Sequence, residues 1–186
     1  MADSDICNAA LKKIGQMTTI SSLASAEKNA LVCNQFYASV IAEILVSYPW
    51  NCAIAREELA APDPEPDNNT LFQYQYDLPS DSLRILDINN DRTIEFMIEG
   101  SFLYTNVESC IVRYIKQETD DTLWHPLLKE AIVNKLASEI AVILTGKQSL
   151  SSAMFQKYML AINHAKLINA IEEIDTSEDT TQWDNI

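Results

Sequence analysis

The stretch TIEFMIEGSFLYTNVESCIVRYIK, residues 93–116, decides how this chain is read. Ile94, Phe96 and Ile98 alternate with Glu95, Met97 and Glu99, and Ile111, Arg113 and Ile115 alternate with Val112 and Tyr114. A hydrophobic period of two is the mark of strands with one covered face. Glu99-Gly100-Ser101 reads as a hairpin turn, and so does Asn89-Asn90-Asp91 just upstream. The period holds from Leu71 to Lys116 and predicts antiparallel strands near 73–78, 83–89, 93–99 and 101–105, with a fifth at 110–116.

On both sides of this region the period changes to three and four. Ser4 is placed to cap a first helix with Ile6, Ala10 and Ile14 on one face and Gly15 as its stop. A connector rich in Ser and Thr leads to a long helix opened by Ser25 and Glu27, with Ala30, Tyr37, Ile41, Ile44, Leu45 and Tyr48 on its apolar face. Pro49 ends it, because the residue before a proline is pushed out of the helical region. Asn51 to Ala60 reads as another short helix with Arg56, Glu57 and Glu58 on its wet side. The following run APDPEPDNN, residues 61–69, excludes both helix and strand. Beyond Thr119, Pro126 suits the first turn of a helix carrying Leu128, Ile132, Leu136, Ile140 and Ile143 and stopped by Gly146. Ser151 is expected to cap the last helix, whose face carries Met154, Tyr158, Ile162, Ala165 and Ile168. The fold class expected is therefore α+β: mainly a helical bundle (1–60 and 120–171), an inserted small antiparallel β element (61–119), and an extended acidic C-terminal tail (172–186).

Composition narrows the function. The net charge is −14, so the chain repels nucleic acid at long range and offers no basic face for phosphates. Only three glycines are present, which leaves little material for nucleotide-cradling loops. The four cysteines, Cys7, Cys33, Cys52 and Cys110, form no CxxC pair and are expected as reduced, buried thiols. Neither a signal peptide nor a membrane span is expected, since the N-terminus is acidic and the apolar runs are interrupted.

The search for chemistry yields little. His125 and His164 are each alone in their segments, and His125 stands between Trp124 and Pro126, where capping or packing is the usual role. Asp87, Asn89, Asn90 and Asp91 loosely resemble a calcium loop but lack its glycine and its twelfth-position glutamate. No GxSxG, GxxxxGK[ST] or GxGxxG is present. Lys12-Lys13 is expected on a solvated helix side. No catalytic residue, cofactor or metal site is expected, and a structural protein rather than an enzyme is the better reading.

Several segments taken in order carry a resemblance. They are ICNAALKKIGQMTTISSL (6–23), YPWNCAIAREEL (48–59), YQYDLPSDSLRIL (74–86), FMIEGSFLYTN (96–106) and LWHPLLKEAIVNKLASEIAVILTG (123–146). Asn8, Ala9, Leu11, Ile14 and Gly15 match in the first; Trp50, Ala53, Arg56 and Leu59 in the second, with Cys52 where an aromatic is common. Tyr76, Leu78, Pro79, Asp81 and Arg84 follow, then Trp124, Pro126, Leu127, Ala131, Leu136, Ala137 and Ala141. Over about residues 5–170 the chain resembles the head-to-tail adaptors of short-tailed bacteriophages, the tail tubular protein A family.

The resemblance implies a virion protein at the neck of the tail, made in the host cytoplasm. It implies a homo-oligomeric ring, typically a dodecamer, between the portal protein and the tail nozzle, with tail fibres as further candidate neighbours. DNA would pass through the channel without specific binding. Trp50 and Trp124 are candidates for packing or interface roles. In the tail, Ile174, Trp183 and Ile186 are candidates for portal binding, because Trp183 is a large apolar side chain among Glu172, Glu173, Asp175, Glu178, Asp179 and Asp184. Other readings are a head-completion or tail-terminator protein, a tail-associated cell-wall hydrolase, and an acidic regulatory module.

Overall fold

The computed structural model describes residues 3–60 and 71–172. It is mixed α and β, with four helices and two three-stranded antiparallel sheets. The proline-rich run at 61–69 and the tail residues Ile174, Trp183 and Ile186 lie outside the described residues.

Helix α1 spans Asp3–Lys13 and buries Ile6, Cys7, Ala10 and Leu11. It starts ahead of Ser4, so Ser4 is a residue of the helix and not its cap. Gly15 ends it as expected, at φ 82°. The Gln16 N–H donates to the Leu11 carbonyl (2.9 Å) and the Gly15 N–H to the Lys12 carbonyl (3.0 Å), the paired closure that needs a left-handed residue at this position. The side chain of Asn8 then ties the outgoing connector back, accepting from the Ile20 N–H at 2.8 Å and donating to its carbonyl at 2.9 Å.

Helix α2 (Lys28–Ser47) buries one face that includes Cys33, Tyr37, Ile41 and Ile44, and ends where Tyr48 turns extended ahead of Pro49. A single 3-10 turn, Asn51–Ala53, follows, and then strand β1, Ile54–Glu58. The helix expected over 51–60 is thus overturned. Its alanines, arginine and glutamates favour a helix locally, but β1 pairs residue by residue with the distant strand β6 (Ile111–Lys116), from Ile54 opposite Ile115 to Glu58 opposite Ile111. Long-range pairing outweighs a propensity difference of a few tenths of a kcal/mol per residue.

The remaining strands are β2 (Tyr74–Asp77), β3 (Ser82–Ile88), β4 (Phe96–Glu99) and β5 (Phe102–Thr105), close to the expected spans. They divide into two sheets, ordered β1-β6-β3 and β2-β5-β4. Gly100, at φ 60°, turns the β4–β5 hairpin as expected. Asn89 and Asn90 also form a tight turn, both with positive φ, and the Asp91 N–H closes it on the Ile88 carbonyl at 2.8 Å. It does not join paired strands, however. Asn89 clamps the start of β6, its amide oxygen accepting from the Ile111 N–H at 2.8 Å, and the chain then crosses to the other sheet.

Two cores result. One lies between the sheets and contains Tyr76, Ile85, Ile88, Leu103, Val112 and Tyr114. The larger one gathers all four helices together with Trp50, Ala53 and Ile115. Strand β3 serves both. Register irregularities on either side of Arg84 and Ile85 let Leu83 and Leu86 pack on the helical core while Ile85 and Ile88 face the other sheet.

Helix α3 (Pro126–Thr145) is the helix the others pack on: it contacts α1, α2 and α4 (Gln148–Ile171). Pro126 occupies its first turn and His125 is its cap, with Nδ1 accepting from the Leu127 N–H at 3.2 Å. Gly146, at φ 70°, stops it. Helix α4 begins at Gln148, so Ser151 does not cap it; its hydroxyl instead donates to the Ser138 carbonyl on α3 at 2.8 Å.

Candidate functional site

Trp50 and Trp124 are both only 2% exposed and both belong to the helical core, so within the chain their role is packing. The Trp50 indole donates to the Ile44 carbonyl at 2.9 Å and its ring lies 4.9 Å from that of Tyr48. The buried indole nitrogen of Trp124 has no acceptor among the described residues.

A cleft of about 380 Å³ opens where the 51–53 turn, the start of α3 and the end of α4 meet. Trp50, Leu123 and Leu128 give it apolar walls, and Cys52, His125 and Asn169 face it. Of its polar groups, Asn51, Asn169 and His125 hold the structure together, while Glu172 stands at its rim. Asn169 accepts from the Asn51 N–H at 2.8 Å through its side chain and from the Asn51 amide at 3.2 Å through its carbonyl. His125 uses Nδ1 as a helix cap. Burial pushes the Cys52 thiol up to about 11, which keeps it protonated at neutral pH and a poor nucleophile.

Other polar groups also have structural partners. Asp87 and Arg113 form a buried pair at 2.7 Å, Asp91 accepts from Thr93 at 2.7 Å, and Asn89 holds β6, so the residues that resembled a calcium loop are bound to protein groups. Lys13 is not simply solvated: it bonds Glu130 and, at 2.8 Å, Asn134, tying α1 to α3. Among the described residues no group of three or more His, Cys, Asp or Glu side chains is placed to hold a metal ion. All four cysteines are free thiols; Cys7, Cys33 and Cys110 are buried and Cys52 is half-buried.

The surface feature that the sequence reading missed is the outer face of α4. Leu160, Leu167 and Ile171 are 64%, 62% and 71% exposed, and Phe155 and Met159, further round the helix, are nearly half exposed. The signal was present in the sequence: residues 140–171 contain no Asp or Glu, in a chain with 27 of them. Helix α2 shows a related feature. It is long and apolar enough to cross a membrane by length and composition, although one face is buried in the helical core. It is this apolar because its outer face carries Leu31, Gln35, Ala38 and Ser39 where a solvated helix would carry charge.

No protein-family model matches the chain, and no curated protein matches it.

Proposed function

We propose that the chain is a structural subunit of a head-to-tail adaptor in a short-tailed bacteriophage: a helical bundle with a β element set between α2 and α3, repeated in a ring between portal and nozzle. One observation carries the reading. Part of the residues that resemble the adaptor family fall, in order, at joints of this fold; others, such as Ala131, Leu136, Ala137 and Ala141, are core residues of α3, and the short helix that the resemblance implies after Trp50 is instead strand β1. Asn8 and Gly15 close α1 and its connector, Pro49 and Trp50 end α2, Pro79 stands ahead of β3, and Trp124 and Pro126 open α3. Residues at joints fix the path of the chain, so an ordered set of them specifies architecture where scattered core residues would not.

The charge supports the same reading. A ring multiplies −14 by its copy number, and an acidic lumen lets DNA slide without adhering. In this proposal the subunit has no catalytic role and takes no cofactor, and residues 172–186 strap onto the portal through Ile174, Trp183 and Ile186. The test is to mix the full chain with portal protein and weigh the product by native mass spectrometry. A defined ring of about twelve copies on the portal is expected, with weaker binding when Trp183→Ala is used. A chain that stays monomeric beside the portal overturns the proposal.

A further inference from the structure

We infer that the outer face of α4 is the seat of residues 173–186 of this same chain, which fold back along it in the free subunit. Three observations lead there.

The first is charge. Residues 140–171 carry Lys147, Lys157 and Lys166 and no acid, a formal +3, and no other acid-free stretch of the chain is as long. Residues 173–186 carry Glu173, Asp175, Glu178, Asp179 and Asp184 and no base, a formal −5. Out of the net −14 this leaves −12 for the remaining residues. The α4 face therefore attracts the segment, while the rest of the surface, taken together, repels it. Lys147 and Lys157 take part in no ion pair among the described residues, so their charge is open to it.

The second is pattern. Ala153, Leu160, Leu167 and Ile171 are all exposed and follow one another at spacings of seven, seven and four, in one row along the helix. Lys157 and His164 border this row and are exposed as well. An apolar row edged by base suits an acidic segment that brings apolar side chains of its own, and Ile174, Trp183 and Ile186 are those side chains. The small Ala153 leaves a flat place for an indole beside Leu160 and within a turn of the Lys157 ammonium.

The third is reach. The segment starts at the foot of α4, where the Glu172 N–H still bonds the Ile168 carbonyl at 3.2 Å. Once residues 173 and 174 have turned the chain, the run from Asp175 to Trp183 spans up to about 26 Å. The row from Ile171 back to Ala153 is about 27 Å long. Trp183 thus reaches any point on it. The strip is on the order of 400 Å² a side, too small to hold a separate chain stably. Tethering supplies what area does not. A short linker keeps the segment at a local concentration of about a millimolar, where even a millimolar contact is populated about half the time.

The inference concerns the free subunit and goes beyond the ring reading. Where that reading also holds, Ile174, Trp183 and Ile186 lie on α4 before assembly and on the portal after it, so the portal uncovers α4 as it takes the segment.

The experiment places the photo-cross-linking residue benzoylphenylalanine at position 160 of the full chain, irradiates it at micromolar concentration, and maps the product by mass spectrometry. The expected product has the mass of one chain and an internal link from position 160 to residues 173–186. Trp183→Ala should lower its yield about threefold, and Lys157→Glu should lower it too. Position 167 is a second attachment point at which the same link is expected. The inference is overturned if neither position links to residues 173–186, if the linked product has twice the chain mass, if Trp183→Ala leaves the yield unchanged, or if the wild-type chain floats with phosphatidylcholine vesicles and Leu167→Glu does not. Each of these results leaves the ring reading standing. A chain that forms the internal link but stays monomeric beside the portal sinks the ring reading alone.

Discussion

Helices α3 and α4 are neighbours in sequence, similar in length and joined only through Gly146 and Lys147, yet they differ in what they cover. Helix α3 buries eleven residues, including the polar Asn134, Lys135 and Ser138, and touches the other three helices. Helix α4 buries five, packs mainly on α3, and turns large apolar side chains outward. Apolar content is therefore a poor guide to position in this molecule. Where an apolar side chain has partners it stabilises the fold, and where it has none it is available to a neighbour. The largest test of this contrast is Leu136→Ala in α3. Leu136 is fully buried, and truncation should cost about 2–5 kcal/mol in urea unfolding. A cost near zero would mean that α3 is not the centre of the packing.

The same contrast separates the ion pairs. The side chains of Asp87 and Arg113 are 3% and 15% exposed, whereas Lys135 reaches out to Glu43 and Glu139, whose side chains are 58% and 38% exposed. Asp87→Asn leaves a guanidinium buried without its counter-charge and should cost about 3 kcal/mol. Glu43→Gln should cost less than about 1 kcal/mol. Equal costs, read from paired denaturation curves, would show that burial does not set the strength of these pairs.

Much of the helical part was legible because its signals are local. Gly15, Pro49, Pro126 and Gly146 each act on their own backbone, and each ends or starts a helix where expected. The spans of β2 to β6 were legible for the same reason. What could not be read was partnership. Ile54–Glu58 is a strand only because β6 lies beside it, and β3 pairs with β6 instead of continuing from the Asn89-Asn90 turn into a hairpin. Ser151 looked like a cap because the sequence does not show that Ser138 offers it a carbonyl. Of the candidate site residues, Trp50 and Trp124 could be placed, whereas Ile174, Trp183 and Ile186 lie outside the described residues. The covered row of α4, Met154, Tyr158, Ile162, Ala165 and Ile168, was read correctly, and the second apolar row was overlooked because one periodic row already accounts for the helix.

Cys52 reports on the end of α4. It lies in the cleft that Ala165 and Asn169 help to line, and burial pushes its thiol from an ordinary 9.0 up to about 11. At pH 8 the thiolate fraction falls about a hundredfold relative to an unperturbed thiol, and alkylation by iodoacetamide should slow by about that factor. The sign follows from the raised value: reactivity is suppressed below pH 11 and returns as pH rises through it. Rapid labelling at pH 8 would show that the end of α4 opens readily.

At the junction, Gly146→Ala should cost about 1 kcal/mol. Nothing lies within 4 Å of an added methyl, so the whole penalty comes from holding a residue with a side chain at φ 70°. Gly146→Asn should cost less, because asparagine tolerates that conformation better. If alanine is tolerated fully, the turn between α3 and α4 can adjust, and the contrast between the two helices does not depend on a fixed junction.

The smallest expected effect is also the one that defines α4. Leu167 is 62% exposed, so Leu167→Ala removes contacts with water more than contacts with protein. Its stability change should stay within about 0.5 kcal/mol, against several for Leu136→Ala. Leu160→Ala should behave alike, since Leu160 lies seven residues earlier on the same row. The two side chains lie two helical turns, about 10 Å, apart, so the double variant should show the sum of the single changes. A loss of 2 kcal/mol or more at either position, measured by urea unfolding at micromolar concentration, would mean that the outer face of α4 is packed as core within one chain. The distinction between α3 as core and α4 as outer surface would then fail, and with it the half-populated contact of residues 173–186 there.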